Sequence, residues 1–429
     1  MFARRQWSKS SDRVIIAGWE CASARDTNMT VYSATLPNGE ITEYTDRKRW
    51  LWTLSVVNSL LPFVGIALHA VTGNEWWIVL PLFLNYVIAP FLDWVLGEDS
   101  SNPPDEIVSQ LEQDLYYRRL TYIIVPLQFI SLLGAAAYAA TQDLSAWAII
   151  GLAMVAGITS GLAINAGHEL GHKNSQLEKR LAKIVLAIPA YGHFTIGHNQ
   201  GHHRNVSTPG DPASARMGES IYKFALREMP GSFREAWAFE KDRLARRARP
   251  VWHSNNQILQ SHALSVLLAI GLFVAFGWIV IPFLIVHNFF AWWQLTSANY
   301  IEHYGLLRTK DARGKYEPCQ PHHSWNSNKI YSNLVLLHLE RHSDHHSHPT
   351  RRYQSLRHHD GLPTLPDGYF SAYLLAYVPP LWFHLMDIRL LALPHVQGDL
   401  EKINVDPDAR HALFLQYGQD KMLEPTISP

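Results

Sequence analysis

Gly167-His-Glu-Leu-Gly-His172 closes an apolar run that begins at Ser145, and the rest of the chain answers it twice. His198-Asn-Gln-Gly-His202-His203 is a second histidine box, and His342-Ser-Asp-His345-His346 is a third. Residues four apart share a helix face, so His168 with His172, His198 with His202 and His342 with His346 can each point one way. Neutral imidazole is a ligand for iron, copper and zinc. These eight imidazoles exceed what one metal ion can use, so a second ion is expected.

Outward from the boxes, the sequence divides into apolar runs of membrane length. Leu51–Val71, Trp76–Leu96, Leu120–Ala140, Ser145–Ala166, Ile258–Phe276 and Trp278–Ser297 form three hairpins. Runs of about 20 residues at ~1.5 Å per residue cover the ~30 Å hydrocarbon core of a bilayer. Arg47, Lys48, Arg49, Arg118, Arg119, Lys173, Lys179 and the Arg243–Arg249 cluster fall on one side of this topology. The short turns at Thr72–Glu75, Thr141–Leu144 and Phe276–Gly277 carry no Lys or Arg. The positive-inside rule then places both termini and all three boxes in the cytoplasm. A soluble all-helical protein with a greasy core is the competing reading, and six bounded runs of spanning length argue against it.

The expected fold is therefore all-α: a six-span transmembrane bundle under a cytoplasmic histidine-rich cap. Residues 1–50 read as a polar cytoplasmic segment, 51–400 as the membrane unit and 401–429 as a tail. Gly157 and Gly161 would let a neighbouring helix approach the fourth run closely. Trp76, Trp77, Trp292 and Trp293 lie near run ends, where amphipathic rings favour the interface. Lys183–Gly197 is too short to span and reads as a re-entrant or interfacial helix carrying the second box. Tyr369–Leu385, broken at Pro379-Pro380, reads as lying on the membrane surface.

Composition narrows the function. The 429 residues have zero net charge with histidine neutral, which gives nucleic acid no electrostatic footprint. Cys21 and Cys319 are the only cysteines, too few for a disulfide framework or a cysteine-ligated metal. Met1–Glu20 contains no apolar core of a removable signal peptide. His-Glu-Leu-Gly-His also matches the zinc-protease pattern, with Glu169 as general base. That reading leaves His198, His202, His203, His342, His345 and His346 without a role. A metal-transport protein would place its ligands along a path within the spans, whereas these gather at one end. A ninth histidine, His303, follows the sixth run as His168 follows the fourth, so helices continuing past the membrane would bring them level.

The chain resembles the membrane-bound, non-haem di-iron alkane monooxygenases of bacteria. The resemblance rests on 165–173 (Asn-Ala-Gly-His-Glu-Leu-Gly-His-Lys), 198–204, 299–307 (Asn-Tyr-Ile-Glu-His-Tyr-Gly-Leu-Leu), 339–349 and 321–328 (Pro-His-His-Ser-Trp-Asn-Ser-Asn). It extends over most of residues 45–400. Three histidine boxes also describe membrane fatty-acyl desaturases, and the stretch around His303 favours the hydroxylase. The resemblance implies nine iron ligands, His168, His172, His198, His202, His203, His303, His342, His345 and His346. It further implies two iron ions, dioxygen as co-substrate, and a rubredoxin donor reduced by a flavoprotein in the bacterial inner membrane. Zinc has no redox chemistry and cannot reduce dioxygen, so the chemistry agrees with iron.

Nine neutral ligands leave the metals' charge uncompensated, and Glu169, Glu302, Asp344, Glu340 and Asp211 are the nearest carboxylates to offset it and orient rings. His348, His338 and His193 lie near boxes, while His322 and His323 read as structural. His287 falls inside the sixth run as either a packed or a functional residue. An alkane dissolves in the bilayer, and attack on its terminal methyl requires a narrow apolar tunnel, with Asn85 a candidate on its wall. Arg243, Arg246, Arg247 and Arg249 offer a basic dock for an acidic rubredoxin.

Overall fold

A computed structural model describes residues 30–418. Cys21 and the Met1–Glu20 stretch lie outside the described residues, as does 419–429. The chain is mostly helical, with one feature the all-α expectation lacked. Val31–Thr35 (β1) and Ile41–Thr45 (β2) pair antiparallel across a turn through Pro37, Asn38 and Gly39. Gly39 takes a positive φ of 88°, open to glycine at little cost, and both strands are rich in β-branched and aromatic residues.

The helices that position the site are, in chain order, α1 (Thr53–Asn58), α2 (Leu61–Thr72), α3 (Glu75–Leu96), α4 (Asp105–Gln113) and α5 (Leu115–Thr141). Then come α6 (Ala146–Gly171), α7 (Gln176–Val185), α8 (Ile221–Ala245), α9 (Gln257–Phe276) and α10 (Val280–His303). The cap adds α11 (His342–Ser347), α12 (Tyr369–Ala376) and α13 (Pro379–Leu391).

Among the described residues, four helical stretches are long and apolar enough to cross a membrane, or five if the pair Arg49–Asn58 and Leu61–Thr72, bent by 60°, counts as one. The sixth apolar run of the sequence accounts for the difference. Residues Gln257–His303 form one 47-residue helical stretch. It turns at Gly277, whose φ is +73°, through a short 3-10 segment Gly277–Ile279. Val266, Leu267, Ile270 and Val274 before the turn and Ile281, Ile285 and Phe289 after it are exposed. A contiguous apolar surface of this extent belongs against lipid.

α6 lies at the centre, buried along most of its length. The glycines that the sequence marked for close approach face α10. A Cβ at Gly157 would collide with the His287 carbonyl oxygen, and one at Gly161 would lie 2.7 Å from Gln294 Cβ. His287 is fully buried there and hydrogen-bonds Ser160 Oγ at 2.9 Å. Trp292, expected at the interface, instead donates its indole N–H to the Pro189 carbonyl at 2.6 Å; Trp76 remains 70% exposed.

The two largest apolar cores divide the molecule. One lies among the spanning helices, around Val125, Leu132, Ile164, Leu186, Phe194 and Phe283. The other builds the cap, around Phe224, Tyr300, Trp325, Trp382, Met386 and Leu390. The described part of the tail is stitched into this cap: Asn404 N–H donates to Gly305 O and Met217 N–H to Asn404 O.

Candidate metal centre

Each histidine arrives on a helix end or a short cap helix. His168 lies in the last turn of α6 with His172 as its C-cap, His303 is the last residue of α10, and the third box is α11 itself. The second box departs from the i, i+4 expectation. Phe194–Gly197 is one α-turn, and His198–His202 then continues as a π-helical turn. A π turn bonds i to i+5 and so brings residues five apart together. His198 accordingly meets His203, with their Nε2 atoms 3.0 Å apart. The ring of His202 still stacks beside His198, at 5.1 Å, but its ligand nitrogen joins a different group.

The nine imidazoles gather in two constellations. His168, His172, His198, His203 and His345 form one, and His202, His303, His342 and His346 the other. Within each, the ligand nitrogens lie within 4.8 Å of one another. Nε2 atoms face each other at 2.9 Å (His168 and His345), 3.2 Å (His345 and His203), 3.1 Å (His303 and His342) and 2.9 Å (His346 and His342). The groups adjoin, with the rings of His203 and His346 4.4 Å apart.

The donor chemistry fits metal ions. Burial, reinforced by neighbouring rings, holds His198, His203, His342, His345 and His346 well below the ordinary histidine pKa, so they are neutral lone-pair donors. The Nε2 atoms of His172 and His202 are buried without a hydrogen-bond partner. Buried polar groups left that way are costly unless something binds them. An all-nitrogen set of five plus four can hold a metal pair.

The outer nitrogens are pinned separately. His202 Nδ1 donates to Asp211 Oδ2 at 2.9 Å, and His303 Nδ1 donates to the His323 carbonyl at 3.1 Å. Such contacts fix the tautomer so that Nε2 faces the metal. Burial works against ionisation of Asp211, but His202, Ser214 and the Ala213 N–H outweigh it and lower its pKa.

Of the other carboxylates, Glu302 comes nearest the ligands, with Oε2 3.4 Å from His342 Nε2. Asp344 instead accepts from Arg351 at 2.7 Å and from the Arg357 N–H. Glu169 pairs with Lys173 at 3.0 Å, and Glu340 accepts the Tyr369 N–H at 2.8 Å. These three brace backbone and cations around the boxes. His348 and His359 also lie against Asp344. His338 Nδ1 donates to the Tyr353 carbonyl, and the ring packs on Trp52.

A cavity meets the histidines from the membrane side. Asn58, Asn85, Ile158, Leu162, Leu339 and Phe370 line it, and His168, His198, His342 and Glu302 close its inner end. Asn85 sits there because Leu84–Ile88 is itself a π-helical turn inside α3. Arg243, by contrast, is engaged by Glu240 and the Asn255 carbonyl, while Arg246, Arg247 and Arg249 are exposed.

Known proteins are similar to this sequence. The chain is 50% identical to alkane 1-monooxygenase 1 of Alcanivorax borkumensis over 375 residues, 87% of this chain and 92% of that one. It is 51% identical to the alkane 1-monooxygenase of Ectopseudomonas oleovorans over 377 residues, 88% of this chain and 93% of that one. The chain belongs to the alkane 1-monooxygenase family. A fatty acid desaturase family model also matches residues 145–384, which contain all three boxes and His303. The hydroxylase component of the xylene/toluene monooxygenase of Pseudomonas putida is a more distant relative, 29% identical over 244 residues, 56% of this chain and 62% of that one. The alkane 1-monooxygenases thus match most of this chain, not the boxes alone.

His323 acts through its backbone carbonyl, which no side-chain pattern reveals. Glu228 and Glu235, far from any box in sequence, approach the second box because α8 packs across it.

Proposed function

We propose that the chain hydroxylates the terminal methyl of medium- to long-chain n-alkanes: alkane, dioxygen, two electrons and two protons give a 1-alkanol and water. The observation that carries this reading is the meeting of nine imidazoles, in two adjoining groups, with a cavity that reaches them from among the spanning helices. His168, His172, His198, His203 and His345 would hold one iron, and His202, His303, His342 and His346 the other. When bound, the iron pair supplies the redox chemistry that activates dioxygen. Asp211 and the His323 carbonyl hold ring tautomers, and Glu302, beside His342, would offset cationic charge once the metals are bound. Ile158, Leu162, Leu339 and Phe370 exclude water and align the chain, while Asn85 sets how far the alkane can extend.

The 47-residue stretch Gln257–His303, divided at Gly277, supplies the fifth and sixth spans of the bundle. The cap, both termini and the centre lie on the cytoplasmic side of a bacterial inner membrane, because the basic residues gather there. The membrane unit spans residues 51–400. Rubredoxin, reduced by a separate flavoprotein, delivers electrons, with Arg246, Arg247, Arg249 and, behind its bond to Glu240, Arg243 as the dock.

The test is product analysis. Purified chain with two irons, reduced rubredoxin, oxygen and octane should yield 1-octanol. Absence of alcohol, with an olefinic acid formed from an added fatty acyl substrate, would instead establish the desaturase reading that the shared family match supports.

A further inference from the structure

The reaction just proposed consumes two protons per turnover, and a one-electron carrier brings none. The C–H and O–O bonds break, a C–O bond forms, and dioxygen accepts the two electrons. One oxygen leaves as water, which takes both protons. These must reach a buried centre whose other opening lies among membrane helices.

A second cavity meets the centre from a different direction. At its inner end stand His198 and His202; at its outer end are half-buried Ser232, Glu235 and Pro212. Phe194, His198, Leu295 and Asn299 line both this cavity and the apolar one, and so form the wall between them. At about 20 Å³ it has room for a water, which needs ~10–15 Å³ by the same measure.

Buried polar groups stand among its apolar lining. Glu228 is 1% exposed and accepts from Thr296 Oγ at 2.7 Å, Ser232 Oγ at 3.1 Å and Asn299 Nδ2 at 3.3 Å. The Tyr191 hydroxyl and both ring nitrogens of His193 are buried without a protein partner. No lysine or arginine lines the cavity. Burial raises the Glu228 pKa against the pull of its three hydrogen bonds, and burial, then Asp211, raises Glu235 to about 6. A buried carboxyl, bonded on one side to a half-exposed hydroxyl and on the other to the wall of the centre, has the placement of a relay.

We propose that this second cavity is the proton entry of the enzyme, with Glu228 the relay and Glu235 with Ser232 its mouth. Glu228 gives a proton inward along the cavity and regains one from the mouth. The proposal rests on the hydroxylase reading above.

Glu228→Gln keeps the shape and can still bond the same partners, with the Thr296 hydroxyl turned to accept from the amide, but has no proton to lend. In the iron-loaded holoenzyme with rubredoxin, kcat should fall at least tenfold, with the KM for octane and the two irons per chain unchanged. The solvent isotope effect on kcat in deuterium oxide should rise above that of the wild type, and Glu228→Asp should recover part of the rate. A Glu228→Gln enzyme within twofold of wild-type kcat, or one that loses rate with its iron or without a change in isotope effect, would overturn the relay. Wild-type enzyme that forms no alcohol would overturn the hydroxylase reading instead, whatever the variant does.

Discussion

His202 shows how little of a ligand is the ligand atom. Its Nε2 faces the metal group only because Asp211 takes Nδ1–H at 2.9 Å, and Asp211 is itself held by Ser214 Oγ at 2.6 Å. Asp211→Asn keeps an acceptor but removes the charge, and outer partners of this kind are worth roughly 10–100-fold in metal affinity. Iron retained after equilibrium dialysis should drop by that order from the His202 group. Asn85 acts by size. Asn85→Phe shortens the apolar cavity, so the longest alkane oxidised should lose several carbons while short ones keep their rate; an unaltered product profile across chain lengths would remove Asn85 from the tunnel wall. At this scale the sequence was most readable for the eight box histidines, because residue type carries coordination chemistry; His303 rested on its place after the sixth run and on the family resemblance, and spacing alone did not separate His202 from His198. It was least readable for Asp344, inside the third box and next to His345 yet turned toward Arg351, because direction from the backbone is set by packing.

Between elements, the contact that aligns the centre is α6 on α10, since one carries His168 and the other His303. Gly157 permits it. Gly157→Leu forces the helices apart, and overpacking of this kind costs about 1–3 kcal/mol; the thermal midpoint in detergent and the iron content should both fall. Gly271→Ala, with nothing within 4 Å of the added carbon, should change neither. The apolar runs anticipated the helix centres but not their ends. α5 begins at Leu115, ahead of the run at Leu120, because Asp114 caps it through the Tyr116 N–H and its polar first turn extends beyond the hydrocarbon. The hairpin of β1 and β2 was missed although Pro37-Asn38-Gly39 is turn chemistry, since its short strands were outweighed by a polar average. The π-helical turns at Leu84–Ile88 and His198–His202 leave no mark that spacing rules can read.

At the scale of the whole molecule, charge and lipid divide the surface. Arg246, Arg247 and Arg249 lie exposed just beyond α8, where a negative carrier is attracted across a Debye length of about 8 Å at physiological salt. Arg246→Glu with Arg247→Glu should raise the rubredoxin concentration for half-maximal rate several-fold, less so in high salt, and leave kcat intact; an unchanged value would move the dock elsewhere. The chain's order along its length has a consequence for assembly. His202 and His203 are neighbours in sequence yet serve opposite groups, as do His346 and His345. Seating one ion therefore freezes the very peptide units that present ligands to the other. The pair should load as a unit, and native mass spectra during iron titration should be dominated by empty and doubly occupied chains, with singly occupied ones scarce.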